Sequence, residues 1–160
     1  MTPSSSQEVA VLVPLVLGVL TTLLTIAVHA VALGATVKFI RRAYDIQRAG
    51  VGFWTDFAIV SGVLLLALAA HLAAIAVWGA LYVACGEFAQ LAPAFYHSAM
   101  NYTSLGYGDV VMSVSWKLFG PLEVADGLLM FGVSTAMIFA VITRLFRTRT
   151  EAAYTADASE

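Results

Sequence analysis

The sequence predicts an all-α membrane protein with three transmembrane helices and a re-entrant segment between the second and the third. Three observations predict it. The 160 residues are 61% hydrophobic and only 11% charged, against about 25% charged in an ordinary soluble domain. The apolar residues fall in long runs, with no charge from Val9 to Val37, from Phe57 to Gly86, or from Gly127 to Thr143. Finally, all of the 8 Lys and Arg except Lys117 follow either the first run or the last.

The first two runs exceed the roughly 20 residues needed to cross a hydrocarbon core of about 30 Å. The third reaches that length if its helix starts near Pro121. Lys38, Arg41, Arg42 and Arg48 lie after the first run, and Arg144, Arg147 and Arg149 after the last. The positive-inside rule makes both segments cytoplasmic. Residues 1–8 are then outside the cell membrane, and the chain crosses inward over 9–37. An amphipathic linker, 38–56, lies on the inner surface, and the chain returns outward over 57–84. It crosses inward again over 121–143, leaving a polar tail, 145–160, that is expected to be disordered from Thr150 on. Glu8 and the lack of a basic flank argue against reading the N-terminus as a signal peptide. Phe53 and Trp54 at one end of the second span, and Trp78 and Tyr82 at the other, read as an aromatic belt.

This parity constrains the stretch from Phe88 to Asp109. A further crossing there would put the last three arginines outside, so the stretch must dip into the membrane and return. Irregular backbone at membrane depth is tolerated only inside protein or along a water-filled path. The segment therefore implies a pore or cavity. Pro93 suits the first turn of a short helix, 93–102, because its missing N–H would have no partner there. The run Thr103-Ser104-Leu105-Gly106-Tyr107-Gly108-Asp109 follows. Rings of backbone carbonyls can replace the water around a permeating cation. Aiming successive carbonyls at one axis needs conformations that Gly106 and Gly108 adopt readily. Tyr107 can brace the loop, and the negative end of the short helix favours a cation.

Thr103 to Asp109, between a short helix and a single following span, resembles the filter of the potassium-channel pore family. The resemblance covers roughly 57–144, with the first helix as an addition. It implies a homotetramer whose filter, Thr103 to Gly108, lies on the fourfold axis, with K+ at Ser104, Leu105, Gly106 and Tyr107. Where the family usually has Thr-Val, this chain has Ser104-Leu105, so the innermost ion site loses the methyl that stiffens Thr. Met100 stands where some relatives carry a filter-bracing Glu. His97 lies where an aromatic donor is common, and is expected either to support the filter through Tyr107 or Asp109 or simply to pack. Glu123 and Asp126 are expected to form acidic rings at the outer mouth or to favour the first turn of the last helix. Relatives bend the last helix at a mid-membrane glycine, here Gly132, although a packing glycine is the alternative. Ser134, Ile138, Val141 and Ile142 recur at helical spacing and are candidates to line an apolar cavity.

The expected function is passive K+ conduction. A weakly selective cation channel and a non-conducting partner subunit are the alternatives. No enzymatic activity is expected. Tyr44-Asp45 with Gly106-Tyr107-Gly108-Asp109 matches the motif pair of intramembrane aspartyl proteases, but the predicted topology places the two carboxylates on opposite faces. Expected partners are further copies of the chain, the bilayer and K+, with no other cofactor and no nucleic acid. The first two spans lack the basic residues of a voltage sensor. His29 and His71 lie within membrane helices and are either proton sensors or neutral histidines hydrogen-bonded between helices. Cys85 is either an intersubunit bridge or a buried thiol.

Overall fold

The computed structural model describes residues 11–45 and 52–157. Those residues form four helices and no strand: α1 (Leu12–Asp45), α2 (Phe53–Ala84), α3 (Leu91–Tyr102) and α4 (Phe119–Asp157). α1, α2 and α4 are long and apolar enough to cross a membrane, and α3 is the expected short helix. The all-helical fold with three membrane-length helices is as the sequence predicts.

The boundaries differ in instructive ways. α1 continues past Val37 to Asp45, so Lys38, Arg41 and Arg42 sit on its last turns rather than on a surface linker. No Gly or Pro interrupts residues 37–45, and basic groups are favourable at a helix C-terminus. α2 starts at Phe53, with Asp56 in its first turn, where the helix dipole favours an acid. Of the expected linker, only Gly52 is described as lying outside a helix, and 46–51 lie outside the described residues, as do 1–10. α3 and α4 each begin two residues before the expected Pro93 and Pro121. Both prolines still fall in a first turn, where an N–H has no helical acceptor. α4 runs on to Asp157, which corrects the expectation of disorder over 150–157, and 158–160 lie outside the described residues. Its C-terminal extension carries an i,i+4 ion pair, Arg147 to Glu151 at 2.9 Å, of the kind that supports exposed helices.

The chain divides into two compact units, one of residues 1–27 and 72–130, the other of residues 28–71 and 131–160. The first is built on Trp78, Tyr82, Tyr102 and Phe119, all 0% exposed. Their rings pack with centroid separations of 6.2 Å for Trp78–Phe119 and 6.0 Å for Tyr82–Phe119. The belt reading of Trp78 and Tyr82 is therefore corrected. Both rings are core, held there by polar tips that find buried acceptors, whereas Phe53 and Trp54 stay exposed.

In the second unit Ala43, Ile59, Val63, Val141 and Leu145 form the apolar core, with Ile138 packed against it. Ser134 is also buried. The face of α4 expected to line a cavity is thus the face that packs inside the chain. Helical spacing identified a coherent stripe, but spacing alone does not say what the stripe faces. The side chains of α4 left exposed include Val133, Phe139 and Phe146. His29 Nε2 and His71 Nδ1 lie 3.3 Å apart, joining α1 to α2, and the His71 ring stacks on Phe131 at 4.3 Å. Hydrogen bonding between helices was one of the two readings of these histidines; that each is the other's partner was not anticipated.

Candidate functional site

Both α2 and α3 end in the same way. At the end of α2, Gly86 has φ +78, Gly86 N–H donates to Val83 O, and Glu87 N–H donates to Tyr82 O, each at 3.0 Å. This pair of backward bonds with a left-handed residue between them is a Schellman motif, where glycine is the usual choice. α3 repeats it. Ser104 N–H donates to Asn101 O at 2.8 Å, and Leu105 N–H donates to Met100 O at 2.9 Å. The left-handed position is here Ser104, φ 57, the only non-glycine with positive φ among the described residues. Gly106 N–H also reaches Met100 O, at 3.1 Å. The loop is therefore threaded directly onto the C-terminus of α3, whose last carbonyls it satisfies.

Left-handed residues continue at every second position, Gly106 at φ 54 and Gly108 at φ 73. A chain that alternates left- and right-handed residues turns its peptide N–H groups to one side and its carbonyls to the other. Sequence reasoning anticipated this need at Gly106 and Gly108 but not at Ser104. The Ser104 hydroxyl donates to Thr103 O, and the Thr103 hydroxyl to Ala99 O, both at 2.6 Å. From Thr103 to Val111 the loop is exposed, with Leu105 at 51% and Tyr107 at 69%.

Side chains outside the loop hold it in place. Tyr96 of α3 faces Asp109. Glu87 takes Ser113 in two-pronged fashion, accepting from the backbone N–H at 2.9 Å and from the hydroxyl. Met112 is anchored in the core. His97, expected to brace Tyr107 or Asp109, has its Nε2 3.1 Å from Asn101 Nδ2 and packs against Phe88 and Tyr82. Burial pushes the Cys85 thiol up from its ordinary value, and Glu87 adds to the effect. That leaves it a poor nucleophile at neutral pH.

α3 is seated between α2 and α4 by two close backbone approaches. A Cβ on Gly79 would stand 3.2 Å from Phe95 N, and one on Gly127 would stand 2.0 Å from Tyr102 O. Within the chain Gly127, not Gly132, is the glycine that packs against α3. Gly132 has nothing within 4 Å of where a Cβ would be.

Glu123 and Asp126 complete the seat, and the expectation of acidic rings at an outer mouth is corrected here. They are 0% and 1% exposed. Glu123 accepts from Tyr82 Oη and lies against Ser98 Oγ, and Ser98 also donates to Ile75 O at 2.8 Å. Asp126 accepts from Trp78 Nε1 and from Thr25 Oγ1, each at 2.8 Å. One polar network thus ties α1, α2, α3 and α4 together. A carboxyl in an apolar span is costly unless it is paired, which is why these two turn inward. The spacing carried the signal: Trp78 and Tyr82 are four apart on α2, Glu123 and Asp126 three apart on α4, so the donors and acceptors match on antiparallel helices.

Removing an acceptor from this network should cost more than neutralising it. Asp126→Ala should destabilise the protein by about 3 kcal/mol and Asp126→Asn by about 1–2 kcal/mol, since Asn keeps one acceptor oxygen. Thermal unfolding of the purified protein checks both. Full stability in Asp126→Ala would show that Trp78 and Thr25 do not depend on this carboxyl.

Three membrane-length helices, with a short helix and an exposed loop fastened between the last two, define an integral membrane protein. The family model described as ion channel matches residues 70–144, and this segment is similar to ion-channel domains. It runs from α2 through the loop into α4 and leaves α1 outside. No curated protein and no solved structure matches the chain.

Proposed function

We propose that the chain conducts K+ through Thr103 to Gly108 as one of four identical subunits. The observation that carries this reading is the alternation of left-handed conformations at Ser104, Gly106 and Gly108, which gives a row of carbonyls one direction. Carbonyls from one chain make a fraction of a coordination shell. Four loops around an axis make complete rings, and closed symmetry is the usual way to build them. The exposure of Leu105 and Tyr107 fits a loop whose packing partners belong to other copies. Asp109, which faces Tyr96, and His97 act as filter support in this scheme, and Gly132 as the bending point of α4. The basic ends of α1 and α4 face the cytoplasm and residues 1–8 the exterior of the cell membrane.

A second reading, a weakly selective cation pore, has one observation in its favour. The Ser104 hydroxyl is turned onto Thr103 O, which leaves the innermost site with one less free oxygen donor. Bi-ionic reversal potentials of the purified protein in liposomes separate the readings. Strong K+ over Na+ preference is expected, and equal permeability supports the second reading. Absence of any flux in a tetramer of confirmed mass would make the chain a partner subunit. Native mass measurement should give four chains, and a stable dimer with nothing larger overturns the proposal.

A further inference from the structure

We infer that the groove between α1 and α4 in the second unit is a binding site for a single anionic phospholipid, its phosphate held by Arg41 and Arg144. The groove has a volume of about 310 Å³, at the lower end of the roughly 300–1,000 Å³ of ligand cavities. It has room for part of an acyl chain and not for a folded partner. Its walls are apolar, from Leu33, Val37 and Ile40 on one helix and Met137 and Val141 on the other. Arg41 and Arg144 also line it. They lie at the same end, because Tyr44 of α1 meets both Arg144 and Thr148 of α4.

Those two arginines differ from Arg147 and Arg149 of α4. Arg147 is neutralised by Glu151, and Arg149 pairs with Asp56 at 3.4 Å. Arg41 and Arg144 have no carboxylate partner among the described residues. The Arg144 guanidinium is steadied over the Tyr44 ring, 4.6 Å from its centroid. Arginine forks suit a phosphate geometrically, and a basic pocket between membrane helices is a known form of headgroup recognition.

The third feature is a hydroxyl. Thr36 lines the groove, is 1% exposed, and its Oγ1 has no hydrogen-bond partner. Other helical threonines of this chain donate to the carbonyl four residues back, as Thr21, Thr148 and Thr150 do. Thr36 does not, and a buried donor calls for an acceptor. Along α1, Thr36 precedes Arg41 by five residues, about 7.5 Å of rise. That is the order of separation between the phosphate and the acyl ester carbonyls of a glycerophospholipid. With the phosphate on the arginines, an ester oxygen falls near the Thr36 hydroxyl. A local shift of the lipid or the hydroxyl completes the bond.

The test is native mass spectrometry of the full-length protein with added lipids, independent of ion conduction. The parent should retain phosphatidylglycerol over phosphatidylcholine of the same chains by roughly tenfold or more. Arg41→Gln with Arg144→Gln should abolish that preference while leaving the thermal transition in place. In the parent, the diester lipid should be retained better than its diether analogue, which lacks the ester oxygens, and Thr36→Val should erase that difference. Excess inorganic phosphate should not displace the lipid. Equal retention of the two headgroups, or an unchanged preference in the arginine double variant, overturns the proposal. So does displacement by phosphate alone, which marks a simple anion site, or no retention in the assembled protein, which marks a groove covered by a second copy.

Discussion

Gly106→Ala and Gly108→Ala should each abolish K+ over Na+ discrimination in liposome flux. Both positions are left-handed, at φ 54 and φ 73, where a Cβ costs an ordinary residue about 1–2 kcal/mol. Neither glycine has a neighbour within 4 Å of the added methyl in the single chain, so the penalty is conformational rather than steric. The inexpensive escape is to flip the local backbone into a right-handed conformation. That flip turns a peptide plane over and takes its carbonyl out of the row. Stability should therefore change little while selectivity collapses. Ser104 supplies the internal comparison, since it already occupies a left-handed position, at φ 57. Its place is fixed by two Schellman bonds to α3, a constraint the later glycines lack except for the single bond of Gly106. Ser104→Gly should keep discrimination, because glycine is the easier residue at that conformation. Unchanged selectivity in both alanine variants would place the ion path somewhere other than this loop.

The contrast between Ser104 and its neighbours also marks how far the sequence could be read. Gly106 and Gly108 announce a left-handed need because glycine has little other reason to recur at that spacing. Ser104 does not, since its conformation is imposed by the helix that ends before it. The same division runs through the rest of the chain. The lengths of the charge-free runs gave three membrane helices, because hydrocarbon thickness is an absolute ruler, while the placement of the basic residues and Pro93 gave the short helix. Helix ends were less legible. Lys38, Arg41 and Arg42 looked like a linker by charge, yet a helix can carry its basic end well past the apolar stretch. Glu123 and Asp126 were read from their charge toward solvent, when the cost of an unpaired carboxyl in an apolar setting drives them toward Trp78, Tyr82, Ser98 and Thr25. Ser134, Ile138 and Val141 were recognised as one face of α4. A core stripe and a cavity stripe have the same period, so the pattern left the direction open. Thr36 gave no signal, because an unpaired hydroxyl exists only once the helices around it are packed.

Gly127 and Gly132 of α4 should respond to the same substitution in opposite ways, and the difference separates seating of the filter from bending of the helix. Gly127→Ala places its Cβ 2.0 Å from Tyr102 O, and also 2.9 Å from Tyr102 C. Real Cβ contacts do not approach that closely, and the obstacle is backbone, not the end of a side chain that could swing away. Tyr102 is the last residue of α3 and is fully buried, while the bonds of Ser104 and Leu105 fasten the loop to the turn just before it. Relief of the clash therefore requires α3 to shift away from α4 and carry the loop with it. The shift also strains the contacts of Ser98 with Ile75 and Glu123. The expected cost is about 3 kcal/mol or more, in the range of overpacked cores and broken buried networks, with loss of selective flux in whatever protein survives. Gly132→Ala meets nothing within 4 Å. In a helix interior it gains up to about 1 kcal/mol from propensity, so its thermal transition should hold or rise. If α4 bends at Gly132, that variant should change open probability in single-channel records while its K+ over Na+ preference stays that of the parent. Thermal unfolding and liposome flux measured on both variants decide the matter. A Gly127→Ala protein as stable and as selective as the parent would mean that α3 does not rest on α4 at this point. A Gly132→Ala protein with unaltered open probability would remove the bend and leave gating to the filter loop.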